Sequence, residues 1–502
     1  MLSEKQGEKL FGEFPPVRAS EWEEKIREDL KGADPEKLTW QTPDGISVRP
    51  YYRREDIGEL PFINSNAGEY PYTRGYQTKN NDWEIVQDII VNSFRDANQQ
   101  AVSLLGKGVT TPRFILKIIP SELNQLEELL RNIDLHAVPI MFSLPDNEYS
   151  ILKLIVELVK KKGIDPAGIK GSVDIDPLGH LFRTGNYWKD AETDMLTVKD
   201  AISFGKKHLP AFRILAITSE FFHNSGATIS QELALAMASG VEYLSALTNI
   251  GLKPVEVASK ISFRFAIGSD YFPEIAKIRS ARLLWAVITD LFARGLANSV
   301  KMKIDGSTSS WNQTITGQYN NLLRATTQAM SAVLGGADSL LVLPFDNASG
   351  NNGEFSERLA RNIQLILKEE AYFNKVVDPG AGSYYIENLT YKISENAWNL
   401  FNYIDKAGGI ISAFSKGMIQ DMIEKSVREK QQKIENKTDK IVGVNYHPDP
   451  AEKINVDLKN NKQVTSSDSK LIGRPVCESR ATLEFEKQFL VDNQSIEKQE
   501  KK

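Results

Sequence analysis

The strongest hydrophobic pattern of the chain, over residues 319–346, predicts a helix followed by a buried strand. Apolar side chains recur there at helical spacing until Gly335-Gly336, and glycine readily adopts the left-handed conformation that often ends a helix. The short apolar run Ser339–Leu343 that follows is typical of a buried parallel strand. A second amphipathic helix over 355–373 completes a helix–strand–helix unit, which other parts of the chain repeat.

Strand-like apolar runs alternate with helical patterns along most of the chain. The predicted strands lie at 113–120, 138–143, 169–175, 212–218, 260–267, 300–305 and 339–343, with Val376-Val377 as the candidate eighth. The predicted helices lie at about 121–131, 150–162, 196–207, 228–249, 273–294, 318–334 and 355–373, and another is predicted to begin near Trp83. Regular alternation predicts a parallel α/β sheet, and about eight repeats predict a closed (β/α)8 TIM barrel.

The segments outside the barrel pattern divide the chain into four predicted parts. Residues 1–65 are expected to form an extended N-terminal arm, which packs either on its own barrel or around a second subunit. The barrel is assigned to 66–384 and a helical C-terminal extension to 385–435. Residues 436–502 are expected to contain a polar wrapping linker, a terminal helix at about 478–489 and a disordered tail.

Composition and charge exclude several classes of protein. The formal net charge of −5 does not suggest a nucleic-acid partner, because such proteins usually carry a concentrated basic surface. The single cysteine, Cys477, cannot form an intrachain disulfide, and this favours a reducing compartment. No apolar run approaches the ~18 residues of a membrane span, and the N-terminus lacks the apolar core of a signal peptide. We therefore expect a soluble, cytoplasmic protein.

Few residues outside these patterns suggest chemistry. The chain contains no HExxH, CxxC or GxSxG motif, and no glycine-rich phosphate loop follows a predicted strand. Asp174 and Asp176 end a predicted strand with His180 close by, and capping of the following turn is favoured over a metal site. His223 also follows a strand, at a position where general acids occur. Together with Lys260, which opens a predicted strand, His223 and the two aspartates are the candidate ligand contacts of the barrel rim.

Several long motifs resemble one known family. They are YPYTRG at 70–75, GSVDIDPLGHLFRTG at 171–185, SGATISQELALAMASGVEYL at 225–244, DYFPEIAKIRSARLLWA at 270–286, YNNLLRATTQAMSAVLGGADSL at 319–340, FSERLARNIQLILKEEAYFNKVVDPGAGSYYIENLT at 355–390 and IVGVNYH at 441–447. They resemble the methylmalonyl-CoA mutase family, and within it the small (beta) subunits of the heterodimeric bacterial form. The resemblance covers residues 11 to about 489.

The resemblance implies a fold, a reaction and a partner. It implies a (β/α)8 barrel through which the pantetheine arm of coenzyme A threads, and a radical isomerase reaction between (R)-methylmalonyl-CoA and succinyl-CoA. Adenosylcobalamin is held in this family by a separate domain with a DxHxxG motif. Near His447 this chain has Asn445 in place of the aspartate and Pro450 in place of the glycine. We therefore expect no cofactor on this chain, and adenosylcobalamin on a large (alpha) partner subunit.

The positions that match the family's catalytic residues are altered. Asp88 stands in place of a tyrosine, and Glu220-Phe221 stands in place of a tyrosine–histidine pair. By the same resemblance, Asp174 and Ser307 stand where the catalytic subunit carries glutamines, Ser307 in a loop at 305–310. Aspartate and phenylalanine cannot provide the steering and hydrogen bonding of the residues that they replace. The resemblance therefore implies a catalytically silent barrel, with no catalytic residue of its own.

Three functions remain open from the sequence. The leading hypothesis is a non-catalytic small subunit that stabilises the large catalytic subunit, with acyl-CoA bound only at the partner's site. The second is a catalytic acyl-CoA mutase barrel that uses a separate cobalamin-binding chain, as in isobutyryl-CoA mutase. The third is an acyl-CoA-binding regulatory module, which an open barrel bore would favour and which Phe221 and Phe222 in the bore would oppose.

Overall fold

The structure is a computed structural model, which describes residue 13 and residues 17–293, 300–350, 353–449 and 471–487. Residue contacts divide the chain into two compact units, Met1–Arg53 and Arg54–Lys502. Each unit is described separately below.

The second unit contains a closed barrel of eight parallel strands, which confirms the (β/α)8 fold. The strands are β1 Glu84–Val91, β2 Thr111–Leu116, β3 Ile140–Ser143, β4 Gly171–Ile175, β5 Phe212–Thr218, β6 Ile261–Ile267, β7 Lys303–Thr308 and β8 Ser339–Leu341. Each strand pairs with the next in the chain, and β8 pairs with β1 to close the barrel. Closure leaves no unpaired sheet edge in the barrel.

Helices follow the strands and continue beyond the last one. The α-helices, numbered in chain order, are α1 Ala19–Asp29, α2 Phe94–Leu105, α3 Leu123–Leu129, α4 Ser150–Lys161, α5 Pro177–Thr184, α6 Ala191–His208, α7 Glu220–Asn224, α8 Ile229–Asn249, α9 Pro254–Ala258, α10 Tyr271–Phe292, α11 Asn320–Leu334, α12 Glu354–Leu365, α13 Tyr384–Lys406, α14 Gly409–Ser415 and α15 Met418–Glu435. The hydrophobic core lies largely between the strands and this layer of helices, where Phe114, Phe142 and Ile304 are completely buried.

The prediction of a helix near Trp83 is wrong, because residues 84–91 form the first barrel strand. Its sequence, EIVQDIIV, is rich in β-branched residues, but Gln87 is buried and Ile90 is 59% exposed. Polar and apolar residues therefore do not follow the alternation of buried and exposed positions. The candidate eighth strand at Val376-Val377 is also wrong. Val376 is 59% exposed and belongs to no strand, and β1 supplies the missing member of the barrel.

The bounds of the seventh strand also differ from the prediction. The pattern indicated a strand at 300–305 followed by a hydroxyl-rich loop, whereas β7 runs from Lys303 to Thr308. Ser307 therefore lies in a strand rather than in a loop. Small hydroxyl side chains made this segment look like a turn, but they are buried in the barrel wall. There the hydroxyl of Thr308 accepts a hydrogen bond from the backbone N–H of Leu343 at 2.8 Å.

The first unit contains a short helix and a two-stranded ribbon. α1 precedes the antiparallel pair Trp40–Gln41 and Ser47–Val48. Trp22 of α1 contacts the ring of Tyr51 edge-on at 4.1 Å, and the guanidinium of Arg53 lies 5.1 Å from the Trp22 ring. The predicted arm therefore has local structure, and its first residues, including Phe11 and Phe14, lie outside the described part of the chain.

Helices α13, α14 and α15 follow the barrel, and α13 packs against α8 and α10. The terminal helix begins at residue 483, five residues later than the predicted start. Most of the predicted linker, 450–470, and the residues after 487 lie outside the described part of the chain. Among the described residues, no helix has the length and apolar character needed to cross a membrane.

A buried charge cluster ties α8 and α10 to β6. The ammonium of Lys277 lies 2.8 Å from Glu232 and 2.6 Å from Glu274, and it also donates to the backbone carbonyl of Ala266. The side chains of all three charged residues are essentially inaccessible to solvent. Burial would lower the pKa of Lys277, but the two carboxylates raise it above the ordinary value. Lys277 is therefore the positive charge on which two buried carboxylates depend.

We expect Lys277→Ala to destabilise the protein strongly. The substitution leaves Glu232 and Glu274 buried without their cation, which costs about 3–5 kcal/mol when one member of a buried pair is removed. Urea unfolding, followed by circular dichroism, measures the change in the free energy of unfolding. Lys425→Ala is the matched control, because Lys425 is exposed and its oxygen partner in Glu429 is 3.9 Å away. Equal stabilities of the two variants would contradict the prediction.

Candidate functional site

The candidate site is the interior of the barrel near the carboxyl ends of its strands. Val86 of β1, Met141 of β3 and Leu341 of β8 form one cluster. Because β2 separates β1 from β3, contact between Val86 and Met141 must cross the inside of the barrel. Side chains alternate along a strand, so Asp88 also faces inward, one layer closer to the rim.

Asp88 is neutralised by an arginine of the neighbouring strand. Arg113 of β2 is the register partner of Asp88 and donates through Nε at 2.6 Å and through a terminal nitrogen at 2.7 Å. The two oxygens of the carboxylate thus meet the fork of the guanidinium, an arrangement that is stronger and more specific than a single hydrogen bond. Asp88 is therefore committed to a contact within the barrel wall.

A second arginine, Arg264 of β6, joins two further altered positions. One terminal nitrogen donates to Asp174 of β4 at 2.6 Å, and the other lies 3.6 Å from Glu220 of α7. Strands β4 and β6 are separated by β5, so the contact with Asp174 also crosses the barrel interior. We call Asp88, Arg113, Asp174, Arg264 and Glu220 the rim belt.

Burial and charge act against each other in the rim belt. Burial raises the pKa of Glu220 to about 7, although nearby Arg264 and Arg183 favour its charged form. Burial alone would lower the pKa of Arg264, but Asp174 and Glu220 raise it above the ordinary value. Arg264 therefore stays charged throughout the physiological range, whereas Glu220 is the member of the belt that titrates near neutral pH.

The other replaced positions do not join the rim belt. The ring of Phe221 lies 4.0 Å from that of Phe222, and both contact Phe182 of α5, at 6.5 and 5.6 Å. These contacts lie in the helical layer, where Phe182 also meets Phe414 of α14. Ser307 is buried in β7, beside its register partner Leu341.

His223 lies in the helical layer rather than with the rim belt. Its Nδ1 is 3.6 Å from Glu232, and both side chains are buried. Glu232 is the carboxylate that binds Lys277, so His223 adjoins the charge cluster of α8 and α10. An added Cβ on Gly268, just after β6, would lie 2.9 Å from the His223 ring. His223 thus occupies a tightly packed position, and its role as a rim contact stays a prediction.

Asp176 caps a helix and has no free oxygen. Its Oδ1 accepts from the backbone N–H of Gly179 at 2.9 Å and from the Tyr243 hydroxyl at 2.7 Å. Its Oδ2 accepts from the backbone N–H and the hydroxyl of Thr218, at 3.1 and 2.6 Å. Asp176 is the N-cap of α5, as the favoured interpretation of the sequence held.

The neighbouring groups do not form a metal site. The ring of His180 stacks on Trp188 with centroids 4.2 Å apart, and burial lowers its pKa to about 4. Asp174 is occupied by Arg264. Among the described residues, no group of three or more His, Cys, Asp or Glu side chains is placed to hold a metal ion.

Lys260 lies at the wrong end of the barrel to be a rim contact. It precedes β6, so it is at the amino end of the strand. Its ammonium donates to the carbonyls of Leu209, Pro210 and Phe212, at 3.1, 2.7 and 3.0 Å. Burial, followed by the charge of Arg213, lowers the pKa of Lys260 to about 8. The sequence already placed Lys260 at the start of a predicted strand, and β6 begins one residue later, at Ile261.

The bore contains a cavity of about 160 Å³ near its amino end. Its lining includes Glu84, Met141, Ser172, Arg213, Ser262, Lys303 and Asp305. Glu84 and Lys303 form an ion pair at 3.0 Å, and Asp305 accepts from Ser339 at 2.6 Å. Between this cavity and the rim belt lies the apolar cluster of Val86, Met141 and Leu341. The interior therefore alternates charged and apolar layers along the axis.

Sequence reasoning missed Arg113 and Arg264, the two cations of the site. Each stands in a largely apolar strand, TPRFIL or ISFRFAI. Charged residues are almost never buried without a partner, so an arginine inside such a run is itself a signal. The signal indicates that a carboxylate lies nearby, but the identity of that carboxylate depends on strands distant in the sequence.

Comparisons with known proteins agree on one family. A family model described as methylmalonyl-CoA mutase matches residues 41–117 and 119–489. The methylmalonyl-CoA mutase small subunit of Porphyromonas gingivalis is 43% identical over 448 residues, which cover 88% of this chain and 72% of that protein. The small subunit of Streptomyces virginiae is 30% identical, covering 88% and 72%, and the mutase of Cereibacter sphaeroides is 32% identical, covering 87% and 66%. The chain thus spans about two thirds to three quarters of the length of these relatives.

Solved structures add little. The Plasmodium falciparum HPPK-DHPS wild type with SDX-DHP is 12% identical with a TM-score of 0.31, and the match covers 60% of this chain and 49% of that one. A TM-score this low supports no argument about this protein.

The titration of Glu220 gives a testable dependence of stability on pH. Because the pKa of Glu220 is raised to about 7 on folding, the folded state binds more protons than the unfolded state between about pH 4.5 and pH 7. The free energy of unfolding of the wild type should therefore fall relative to that of Glu220→Gln as the pH rises through this window. The slope cannot exceed about 1.4 kcal/mol per pH unit for one proton.

Urea unfolding of both proteins at half-unit pH steps measures this difference. Glu484→Gln is the control, because the Glu484 side chain is 65% exposed and should show no such trend. A constant difference between wild type and Glu220→Gln from pH 4.5 to 7.5 would show that burial does not raise this pKa.

Proposed function

Because the chain belongs to the methylmalonyl-CoA mutase family, we propose that it acts as the small subunit of a heterodimeric methylmalonyl-CoA mutase. That enzyme interconverts (R)-methylmalonyl-CoA and succinyl-CoA with adenosylcobalamin. In this proposal the barrel is catalytically silent and supports a large catalytic subunit. Acyl-CoA and the cofactor are then bound only by that partner.

The rim belt is the observation that carries the proposal. Three positions that match catalytic residues of the family hold Asp88, Asp174 and Glu220, all of them carboxylates. Their charges are directed to Arg113 and Arg264, with three donor–acceptor distances of 2.6–2.7 Å. Catalysis needs donors that point at the reacting group, in a cavity that holds it. Here the guanidinium N–H groups of Arg113 and Arg264 point at carboxylates of the protein itself.

The residues near His447 do not fit a cobalt ligand. The amide of Asn445 donates to the carbonyls of Ile434 and Asp439, both at 2.8 Å, and its oxygen accepts from the backbone N–H of Ile441 at 2.6 Å. Asn445 thus closes a local turn and has no carboxylate to orient an imidazole. This supports our assignment of adenosylcobalamin to the partner subunit, and no step of a reaction is derived for this chain.

The proposed division of the chain follows from the same function. We assign 1–65 to a partner-contacting arm, 66–384 to the barrel, 385–435 to the helical extension and 436–502 to a wrapping segment. In the first unit, Trp22 is 37% exposed although it packs on Tyr51, and Val17 is 61% exposed. Exposed apolar groups of this kind support a role for the arm in subunit contact.

One observation favours the acyl-CoA-binding alternative, namely the cavity of about 160 Å³ at the amino end of the bore. Its lining carries the cations Arg213 and Lys303, although Lys303 is paired with Glu84. Isothermal titration of the chain alone with coenzyme A and with methylmalonyl-CoA distinguishes the acyl-CoA-binding module from the silent subunit. Saturable binding would support the regulatory module, and absence of binding would support the silent subunit.

Mutase activity of the separate and combined subunits tests the proposed function. The chain should show no turnover of methylmalonyl-CoA with adenosylcobalamin when expressed alone, because the arginines of its rim belt are directed to the carboxylates Asp88 and Asp174. Co-expressed with the large subunit from the same source, it should co-purify in equal amounts, and the pair should be active. Turnover by this chain with an isolated cobalamin-binding protein would contradict the proposal.

Substitution of Asp88 in the active pair provides a sharper test. In the proposed function, Asp88→Asn keeps an acceptor for Arg113 and should leave kcat and KM of the pair within about twofold, since the reaction occurs in the partner. If this barrel were the catalytic one, the substitution would change a residue at the reacting centre. A loss of kcat of tenfold or more, with the pair still assembled on gel filtration, would favour the catalytic alternative.

A further inference from the structure

Residues 471–487 cross the carboxyl rim of the barrel as a separate strip of chain, which we call the strap. It has no helix or strand before residue 483, with a bend at 472–473 and a turn at 481–482, and it is helical from 483. Four of its backbone N–H groups donate to carbonyls of three different segments: Ile472 to Gly185 at 3.0 Å, Val476 to Phe182 at 2.8 Å, Ser479 to Asn224 at 2.8 Å and Ala481 to Trp311 at 2.9 Å. These acceptors follow β4, β5 and β7, so the strap bridges loops that are far apart in the sequence.

At one end of the strap, Gly473 allows close packing against Phe414. A Cβ added to Gly473 would lie 2.6 Å from the ring of Phe414 and 2.9 Å from its carbonyl oxygen. Gly185, at the end of α5, has a φ of +85°, and its Cβ would lie 2.7 Å from the carbonyl oxygen of Gly473. The two backbones therefore approach as closely as they do because neither residue has a side chain.

The other end is held by a buried carboxylate, Glu486. Its Oε1 accepts from the backbone N–H of Ile315 at 2.7 Å and from the hydroxyl of Thr482 at 3.0 Å. Its Oε2 lies 2.5 Å from Arg480. Ile315 belongs to the loop after β7, and Glu486 is 1% exposed. Loss of this carboxylate would leave a buried backbone donor without its acceptor, which is costly.

The middle of the strap is joined to the rim belt through Asn224. The carbonyl of Asn224 accepts from Ser479, and its side-chain nitrogen donates to Glu478 at 3.2 Å. Its side-chain oxygen accepts from Ser309 and from the backbone of Ser310, at 3.0 and 3.2 Å, after β7. Asn224 is the last residue of α7, and Glu220 is the first.

The strap buries little of itself. Only Val476, Ala481, Thr482 and Glu486 are buried, whereas the remaining side chains are partly or fully exposed. Segments with few buried apolar contacts open at a lower free energy than the core of the same domain. The strap can therefore release without unfolding of the barrel.

We propose that the strap is a clasp that closes and opens as one unit, locking the loops after β4, β5 and β7 in one arrangement. Through Asn224 it also holds α7, and with it Glu220, against Arg264. Release of the clasp therefore frees the loops and loosens one side of the rim belt together. This inference is independent of the proposed function, because it concerns only contacts within the chain.

Hydrogen exchange of the full chain, read by mass spectrometry, tests the clasp at both ends. Gly473→Ala adds a methyl group where the strap packs against Phe414. Glu486→Ala removes the buried carboxylate that holds the other end. If the clasp is one unit, Gly473→Ala should speed exchange at Ser479 and Ala481 at least tenfold, and Glu486→Ala should do so at Ile472 and Val476. Peptides of α7 should exchange faster in both variants, while β1–β8 keep their protection.

Glu484→Ala is the matched control, because Glu484 lies in the same helical turn as Glu486 but is exposed. It should leave exchange of the strap unchanged. Three results would overturn the proposal: wild-type strap amides that exchange as fast as an unstructured peptide, variants that each free only their own end, or equal loss of protection in the barrel strands.

The only cysteine of the chain provides an independent readout. Cys477 lies in the strap and is exposed, so a nitroxide can be attached without opening the clasp. The electron paramagnetic resonance spectrum of the labelled wild type should show restricted motion. It should narrow in both Gly473→Ala and Glu486→Ala and stay unchanged in Glu484→Ala, and narrowing in only one of the two would contradict closure as a unit.

Discussion

Two cations inside the barrel, Arg113 and Arg264, must each keep a carboxylate, and the arrangement of the rim depends on this constraint. A charge moved out of water into a protein interior is costly unless a partner and hydrogen bonds compensate it. Asp88 meets this need from a neighbouring strand, and Asp174 meets it from across the barrel. The side chains that could contact a ligand are thereby used to balance one another.

The same requirement organises the parts of the molecule outside the bore. Lys277 holds two carboxylates between α8 and α10, Asp176 has all its acceptor positions filled at the start of α5, and Glu486 accepts a backbone N–H beneath the strap. In each case one buried polar group joins elements that are distant in the sequence. The rim belt and the strap are thus connected, since α7 carries Glu220 at one end and Asn224 at the other.

Prediction from the sequence succeeded where local pattern and tertiary environment agree. The run 212–218 is an apolar strand within its own window, and β5 has those bounds. Prediction failed at β1, where Gln87 is buried and Ile90 is exposed, so that residue polarity does not follow the period of two. It failed again at the bounds of β7, because buried hydroxyl side chains in a barrel wall resemble a turn and local patterns place boundaries poorly. The altered positions Asp88, Asp174 and Glu220 were identified only through the resemblance.

The sequence by itself determined the fold class, because alternating apolar runs and amphipathic helices are local features of the chain. It also determined which residue types occupy the altered positions. Only the tertiary structure decided that these residues neutralise one another and that Phe221 and Phe222 pack in the helical layer. Partners such as Asp174 and Arg264 are 90 residues apart, and they meet only when the barrel closes. The sequence shows which residues carry a charge, but only the folded structure shows which residue of opposite charge lies beside each of them.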